Sequence, residues 1–480
     1  MKRVILLFLL LLAVPAAHAG GPAMAVGAAE DVVKTPDPAF AKAELDKAKL
    51  AGLDTVRITT IWVPGQTKVG VLEAIQLKNV AVAAKFDGIR VVVTLMHAGS
   101  RTTPLADEDK AQFAKWAADV AKRFPSFRDF IIGNEPNLNR FWMPQYDPLD
   151  GHDVAAGAYV SLLATAYDAI KAVAPRTTVY GGALAPRGVD KPGTGRDTHS
   201  PTTFIPDMGA AYRASGREIP IMDALAFHPY ADNSSQPPDF AHPNSSSIGI
   251  ADYPKLVSLL GQAFDGTAQK GSTLPILYDE FGVETTIPAT KASLYTGAEI
   301  PATKPVDEAT QAQFYRRAIE LSFCQPTVTG LLLFHVVDEP QLGAWQSGMF
   351  YVDGAPKASL YPVRTAAFSS RRGIVAKCEG MQLTPKVVID GPGRVKLGAP
   401  VAKAFLTCAI DCDYTVRLED AATHAEVGRQ VGMAIGRKTR QLGFVARKLR
   451  PGSYRFTVQA AATVNVGALA TGVSRAFSVR

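Results

Sequence analysis

Short apolar runs alternate with longer amphipathic stretches over residues 24–371. The run Ile89–Gly99, with the sequence IRVVVTLMHAG, is almost wholly apolar, as a strand buried on both faces requires. Longer stretches such as Ala106–Phe124 and Asp153–Val173 have the length and pattern of helices. Repeated alternation of buried strands and helices predicts a parallel sheet covered by helices.

Eight strand-like runs can be counted if a weak first one within Met24–Val33 is included. The other seven are Asp54–Trp62, Ile89–Gly99, Phe130–Ile132, Thr177–Gly182, Ile221–Tyr230, Leu274–Gly282 and Gly330–Val337. Eight strand–helix units suit a (β/α)8 barrel. A doubly wound open sheet is the competing architecture, but such a sheet usually carries a glycine-rich phosphate loop after its first strand, and none is found here.

The pattern changes beyond Gly380, where short alternating runs such as AFLTCAI and YTVRLED are separated by Gly, Pro and Asp turns. Alternation of this kind over about 100 residues is typical of an all-β sandwich. We therefore predict a barrel domain at 20–376 and an immunoglobulin-like sandwich at 381–480. No catalytic cluster stands out in the sandwich, which is expected to support the barrel, bind a surface, or simply pack.

The first 19 residues predict a secretory signal peptide. A basic start is followed by the apolar run Val4–Val14 and by Ala17-His18-Ala19, which fits an A-x-A cleavage site. We therefore expect the protein to be secreted. The apolar run is too short to span a bilayer and no later stretch is long enough, so no transmembrane segment is predicted.

The four cysteines fit an oxidising compartment, where disulfides persist. We predict a local bridge between Cys408 and Cys412 and a second bridge between Cys324 and Cys378, one of three possible pairings. A zinc site is the alternative, disfavoured because no His lies at ligand spacing from a Cys pair. No metal and no cofactor is predicted.

The net charge of +7 is unevenly distributed. Residues 381–480 contain 15 Lys/Arg against 6 Asp/Glu, whereas the rest of the chain contains 36 against 38. A basic tail domain is consistent with contact to an anionic surface such as a cell envelope, or with a merely solvated face. No motif supports binding of nucleic acid.

Two glutamates follow buried runs at positions where barrel enzymes keep their chemistry. After Phe130–Ile132 the chain continues as Gly133-Asn134-Glu135-Pro136, and the proline stops the strand because it cannot donate a ladder hydrogen bond. The run LPILYDEFG delivers Glu280 at the end of a later strand in the same way. Paired carboxylates at one barrel mouth are therefore predicted. Nearby acidic residues that compete with Glu280 are Asp279, Glu284 and Glu339.

Further polar and aromatic residues are expected at the same mouth, where they would contact a substrate. They are Arg57, Trp62, His97, Asn134, Trp142, His228, Tyr230 and Trp345, with His335 after the last strand. Paired carboxylates among such groups are typical of a sugar-cleaving site, and a spacing of about 5 Å gives the retaining route. Structural roles compete for some of them, since histidines can be core residues and tryptophans can pack loops.

The segment Asn134–Trp142, NEPNLNRFW, resembles the retaining glycoside hydrolases of clan A, in particular family 39, the β-xylosidase and α-iduronidase group. The segment Ser347–Tyr361 is similar to the corresponding tail in family 5. The sequence departs from these families at Phe334-His335, where a tryptophan often ends the eighth strand.

The resemblance implies a role for each matching residue. Glu135 would be the acid/base and Glu280 the nucleophile, while Asn134 would hold the sugar 2-hydroxyl and Arg57 would support the nucleophile. The step His228-Pro229-Tyr230 matches the position whose tyrosine hydrogen-bonds the nucleophile.

The leading hypothesis is a secreted retaining glycosidase that cleaves a β-linked glycoside or polysaccharide by double displacement. A catalytically inactive carbohydrate-binding barrel is the alternative, and the intact glutamates argue against it. A metal-dependent hydrolase of the amidohydrolase type would need a His-x-His pair on the first strand, and Met24–Val33 contains no His.

Overall fold

The computed structural model describes residues 20–480, so the predicted signal peptide lies outside the described residues. Eight parallel strands pair in chain order, and the first also pairs with the eighth, which closes a barrel. The strands are β1 (Ala25–Ala29), β2 (Thr55–Trp62), β3 (Arg90–His97), β4 (Asp129–Ile132), β5 (Thr178–Leu184), β6 (Ala224–Phe227), β7 (Ile276–Phe281) and β8 (Val328–Phe334). The predicted (β/α)8 barrel is confirmed.

Helices connect successive strands and cover the outside of the barrel. They are α1 (Pro38–Leu50), α2 (Val71–Asp87), α3 (Asp107–Arg123), α4 (Ala155–Val173), α5 (Pro201–Ala214), α6 (Tyr253–Phe264), α7 (Glu308–Phe323) and α8 (Leu360–Arg371). Local chemistry fixes several of their ends. Asp37 caps α1 by accepting hydrogen bonds from two backbone N–H groups, and Gly88 ends α2 with a φ of 68°.

Side chains of the barrel strands divide between two apolar cores because successive residues of a strand point to opposite faces. The smaller core fills the barrel interior and includes Val92, Ile131, Leu277 and Leu332. The larger core lies between the strands and the helices. The parity of a residue along its strand therefore decides whether it faces the interior or the helices.

The C-terminal region forms two packed sheets around a separate core, and their strands pair antiparallel except for one parallel pair. The strands are β9 (Val387–Asp390), β10 (Arg394–Val395), β11 (Val401–Cys408), β12 (Cys412–Asp420), β13 (Glu426–Ala434), β14 (Arg440–Val445), β15 (Gly452–Ala462), β16 (Ala470–Val473) and β17 (Phe477–Val479). One sheet has the order β14-β11-β9, and the other contains β10, β17, β15, β12, β13 and β16. The predicted all-β sandwich is confirmed.

Polar contacts join the sandwich to the barrel. Arg372 makes a two-pronged ion pair with Asp411, at 2.9 and 2.6 Å. The side chain of Asn465 donates to the carbonyl of Ala376 and accepts from the N–H of Cys378. These contacts fix the segment that leaves α8.

Both predicted disulfides are present, Cys324–Cys378 and Cys408–Cys412. The first ties the end of α7 to the segment that follows α8, and the second joins β11 to β12 across the two sheets of the sandwich. Within residues 20–480, no helix is long and apolar enough to cross a membrane.

Candidate active site

A cavity of about 1050 Å³ opens at the carboxyl ends of the barrel strands. The loops that follow these strands form its walls, including the long loops after β5 and β6. The two loops are joined at the rim by an ion pair between Arg187 and Asp232 at 3.0 Å. Glu135 and Glu280 both line this cavity.

Strand β7 supplies two adjacent carboxylates to the same site. Asp279 and Glu280 both contact Arg57 and His228, although neighbouring residues of a regular strand point to opposite faces. The pairing of β7 with β8 shifts register between Tyr278 and Phe281. Such an irregularity re-aims side chains, and here it lets two carboxylates reach one place.

Arg57 anchors Glu280 from β2. Its guanidinium group donates to Glu280 Oε1, to Thr94 Oγ1 at 2.6 Å and to Asn134 Oδ1 at 3.0 Å. Burial opposes its charge, but the charges of Glu280 and Asp279 outweigh burial and raise the pKa of Arg57. Tyr230 adds a second donor to Glu280, from its hydroxyl to Oε2 at 2.9 Å.

Glu135 is presented by an irregular turn directly after β4. Gly133 has a φ of 83° and Glu135 a φ of 41°, conformations that a strand or helix does not use. The N–H of Glu135 donates to the carbonyl of Ala183, at the end of β5, over 2.8 Å. The Glu135 side chain remains 15% exposed to the cavity, and one carboxylate oxygen lies 2.9 Å from His228 Nδ1.

His228 lies at the junction of three carboxylates. Its Nδ1 is 2.9 Å from Glu135 Oε1 and 3.5 Å from Glu280 Oε2, and its Nε2 is 3.3 Å from Asp279 Oδ2. The oxygens of Glu135 and Glu280 that face His228 both lie close to the same atom, Nδ1. The distance between these two oxygens therefore cannot exceed the sum of 2.9 and 3.5 Å.

The charges of the site reinforce one another. Burial acts to raise the pKa of Glu280, but His228 and Arg57 outweigh it and hold that pKa below its usual value. Burial acts to lower the pKa of His228, but Glu280 and Asp279 raise it to about 10. Burial and the neighbouring Glu280 raise the pKa of Tyr230 well above its usual value, so its hydroxyl remains a donor. The resulting state is an ionised Glu280 beside two cations.

Aromatic rings line the wall beside Glu280. Trp345 lies 5.1 Å from Tyr230 and 5.2 Å from Phe334, measured between ring centroids. His335 follows Phe334 on the same wall. The imidazole of His335 is held by a hydrogen bond between its Nδ1 and the carbonyl oxygen of Ala29, at 3.0 Å. Sugar rings present apolar faces, and an aromatic wall of this kind offers them a matching surface.

The structure brings together most of the residues predicted for this site. Arg57, Asn134, Glu135, Tyr230, Glu280 and Trp345 line the cavity. His228 contacts both glutamates but is fully buried beneath the cavity floor, so it is placed to act on carboxylates and not to touch a substrate.

The structure does not bring three of the predicted substrate-contacting residues, Trp62, His97 and Trp142, to the cavity. All three are buried and none lines the cavity. Trp62 is five residues after Arg57 on β2, so it points to the opposite face, and His97 pairs with Trp62 in register. Trp142 packs against His97 with ring centroids 5.5 Å apart. The three residues belong to the packing between strands and helices.

Three further acidic residues contribute to the site. Asp279 and Glu284 are predicted from the sequence only as competitors of Glu280, and Glu30 is not predicted at all. Glu30, at the end of β1, accepts hydrogen bonds from the N–H groups of Val336 and Val337 and so fixes the backbone after His335. Glu284 lines the cavity four residues beyond Glu280. Glu30 directly follows β1 and Asp279 lies near the end of β7, and these positions were the available signal for the two residues.

One group in the described part of the chain has the spacing to hold a metal ion, Asp147, Asp150 and His152. It lies in the loop after β4 and does not line the cavity. Two of its members are exposed, as is common for acidic surface groups, so we assign it no function.

No family model matches this chain, and no curated protein matches its sequence. Among solved structures, it is similar to a family 39 glycoside hydrolase from Bacteroides cellulosilyticus WH2, with 16% identity and a TM-score of 0.51, covering 89% of this chain and 81% of that chain. It is also similar to a GH5_18 protein from Bifidobacterium longum subsp. infantis, with 13% identity and a TM-score of 0.49, covering 78% and 83% of the two chains. The first similarity shows the fold.

Proposed function

We propose that this protein is a retaining glycosidase that hydrolyses O-glycosidic bonds of a β-linked glycoside or polysaccharide. Glu135 is the acid/base and Glu280 the nucleophile. The strongest support is the short distance between the facing oxygens of the two glutamates. These oxygens lie 2.9 and 3.5 Å from one nitrogen of His228, so their separation cannot exceed the sum of the two values. Retaining enzymes separate their carboxylates by about 5 to 5.5 Å, whereas inverting enzymes need more room for a water molecule.

In the first step Glu280 attacks the anomeric carbon and forms a glycosyl ester. The bond from that carbon to the leaving oxygen breaks, and the oxygen keeps the electron pair and takes the proton of Glu135. In the second step water attacks the same carbon, Glu135 takes a proton from the water, and the ester bond to Glu280 breaks. Both carboxyl groups then regain their initial protonation states.

The surrounding contacts suit these roles. An ionised carboxylate held by Arg57 and Tyr230 is available as a nucleophile at neutral pH. Glu135 uses one oxygen toward His228, and its other oxygen makes no hydrogen bond within residues 20–480. Asn134 accepts from Arg57 through its oxygen, which orients its amide nitrogen to donate, and we assign it to a sugar hydroxyl.

An inactive carbohydrate-binding barrel would not need this arrangement. Binding requires neither an anionic Glu280 held by a buried arginine nor a second carboxylate opposite it. We therefore propose that the protein hydrolyses its carbohydrate ligand and does not only bind it.

Export is also proposed, from the signal peptide predicted at 1–19 and the two disulfides. The sandwich is proposed to contact an anionic surface such as the cell envelope. Arg417, Arg429 and Arg455 of the sandwich lie within 4.0 Å of a carboxylate. Most other Lys and Arg side chains of residues 381–480 form no such ion pair, which leaves their charge available to an anionic surface.

The proposal is tested with a panel of aryl β-glycosides and polysaccharides. Glu280→Gln is expected to lower kcat by roughly 10⁴-fold or more on every substrate, because no ester can form. Glu135→Gln is expected to lower turnover by about 10²- to 10⁴-fold on substrates with poor leaving groups and much less in the first step of activated ones, which need little protonation.

The control is Glu108→Gln, which changes an exposed carboxylate on α3 and should leave turnover unaltered. Equal losses for Glu135→Gln on all leaving groups, measured as the rate of the first step, would contradict the assignment. Absence of turnover by the unaltered protein on the whole panel, with carbohydrate binding intact, would favour the inactive barrel.

A further inference from the structure

Asp279 has no role in the two steps above, yet it is fully buried beside the reacting groups. Its Oδ2 lies 3.3 Å from His228 Nε2 and 3.6 Å from Arg57 Nε. A carboxylate placed between two cations in a dry interior stabilises the charged form of each of them. Asp279 thus controls the charge of a group, His228, that touches both Glu135 and Glu280.

The contacts of His228 determine its protonation. An ionised carboxylate only accepts hydrogen bonds, so each ring nitrogen facing one must carry a hydrogen to make a bond. Nδ1 faces Glu135 and Glu280, and Nε2 faces Asp279. A doubly protonated imidazolium satisfies both sides. The neutral form protonated only at Nδ1 sets a ring lone pair against Asp279, and the form protonated only at Nε2 sets one against the ionised Glu280.

The charges around this imidazolium change places during the reaction. The groups facing His228 are Glu135 from the turn after β4 and Asp279 and Glu280 from β7. Arg57 from β2 contacts these two β7 carboxylates, and the ring centroid of Tyr230, after β6, lies 6.2 Å from that of His228. Before the first step the two cations balance Asp279 and Glu280, while Glu135 holds its proton. After it Glu280 is an ester and Glu135 is the anion.

The negative charge therefore moves from one oxygen facing Nδ1 to another. His228 Nδ1 hydrogen-bonds Glu135 Oε1 at 2.9 Å and forms an ion pair with Glu280 Oε2 at 3.5 Å, so it can be the counter-ion of either without leaving its place. We propose that Asp279 is a positioning residue that keeps His228 doubly protonated, so that one imidazolium is the counter-ion of Glu280 before glycosyl transfer and of Glu135 after it. This inference rests on the proposed function, since it needs both glutamates to react.

The protonation of His228 can be measured without substrate. Imidazole nitrogen chemical shifts in the intact protein are followed by NMR from pH 5 to pH 9, with a His228→Gln sample to assign the signal. His228 is expected to remain doubly protonated across this range. In Asp279→Asn, which keeps the shape of the side chain but not its charge, it should lose a proton within the range. A neutral His228 at pH 7 in the unaltered protein, or an unchanged titration in Asp279→Asn, would overturn the proposal.

Kinetics supply a second readout. Without the imidazolium, the anionic form of Glu135 is stabilised less, so Glu135 keeps its proton to higher pH. Asp279→Asn should therefore shift the alkaline limb of kcat/KM upward by about one pH unit. On an activated aryl glycoside it should slow the second step at pH 7 by roughly tenfold, because that step needs ionised Glu135.

Asp129→Asn is the matched control, since Asp129 is a buried carboxylate that bonds Arg90 at the opposite end of the barrel. Its pH profile should keep the original limbs even if its stability falls. An unshifted limb in Asp279→Asn, with turnover retained, would overturn the shared counter-ion. Absence of turnover in the unaltered protein would instead count against the proposed function, and the NMR result would still report on His228.

Discussion

Glu284 is a buried carboxyl group that forms no ion pair within residues 20–480. It is 6% exposed, and its Oε2 is enclosed without a hydrogen-bond partner among the described residues. Lys357 is near, but its ammonium group already donates to Asp338, Thr285 and the carbonyl of Gln346. Burial, with neighbouring acids adding to it, raises the pKa of Glu284 to about 7.

A raised pKa makes Glu284 a source of pH-dependent instability. Its usual value is 4.5, so between pH 4.5 and about 7 the folded protein binds more protons than the unfolded chain. Stability must then fall as pH rises through this window. Glu284→Gln removes this loss of stability. Its free energy of unfolding, compared with that of the unaltered protein, is expected to be higher at pH 8 than at pH 4.5 by on the order of 2 kcal/mol. Urea unfolding at the two pH values measures this gain, and Glu108→Gln controls for loss of charge alone. Parallel pH dependence of Glu284→Gln and the unaltered protein would contradict the account.

Parity along a strand explains which predicted residues failed to reach the cavity. Arg57 and Trp62 are five positions apart on one strand, so they cannot both face the interior. This information is present in the sequence, and applying it would have removed Trp62 from the predicted site. His97 follows from the same rule once its pairing with Trp62 is known, but that register comes only from the folded sheet.

At the scale of elements, the adjacent carboxylates of β7 could not be derived from periodicity. Strict alternation allows only one of Asp279 and Glu280 to face the site. The register shift between Tyr278 and Phe281 admits both, and it depends on pairing with β8, a strand about fifty residues later in the chain. The sequence therefore indicates Glu280, and from the sequence its neighbour Asp279 is only a competitor for the same position.

The two disulfides close loops of very different length, which predicts unequal effects on stability. Cys324–Cys378 spans 54 residues and Cys408–Cys412 spans 4. Loop-closure entropy gives about 4 kcal/mol for the first and about 2 kcal/mol for the second. All four tryptophans lie in the barrel, so their fluorescence during urea unfolding follows that domain.

The paired serine variant of Cys324 and Cys378 is expected to lower the urea midpoint of the fluorescence transition. The paired serine variant of Cys408 and Cys412 is the matched control and should leave that midpoint close to its original value. A larger shift from the second variant would show that the bridge in the sandwich, and not the bridge after α8, holds the barrel.

At the scale of the whole molecule, the sequence carries the architecture more fully than the site. Alternating buried strands and helices predict a barrel because few other folds accommodate eight such units. The change of period beyond Gly380 marks the sandwich in the same way. The contacts between the two domains, such as Asn465 with Ala376, join residues far apart in the chain and have no local signature.

The central claim is that Glu135 and Glu280 act on opposite sides of one sugar ring, with Glu280 forming a covalent ester. The most direct measurement uses a 2-deoxy-2-fluoro glycoside with a dinitrophenyl leaving group, of the sugar that supports turnover. Fluorine slows both steps by destabilising the oxocarbenium-like transition states, and the activated leaving group restores the first, so the ester accumulates. After proteolysis, mass spectrometry is predicted to find the sugar on Glu280. Attachment to Asp279 or Glu135, or turnover that inverts the anomeric centre without an adduct, would contradict the account.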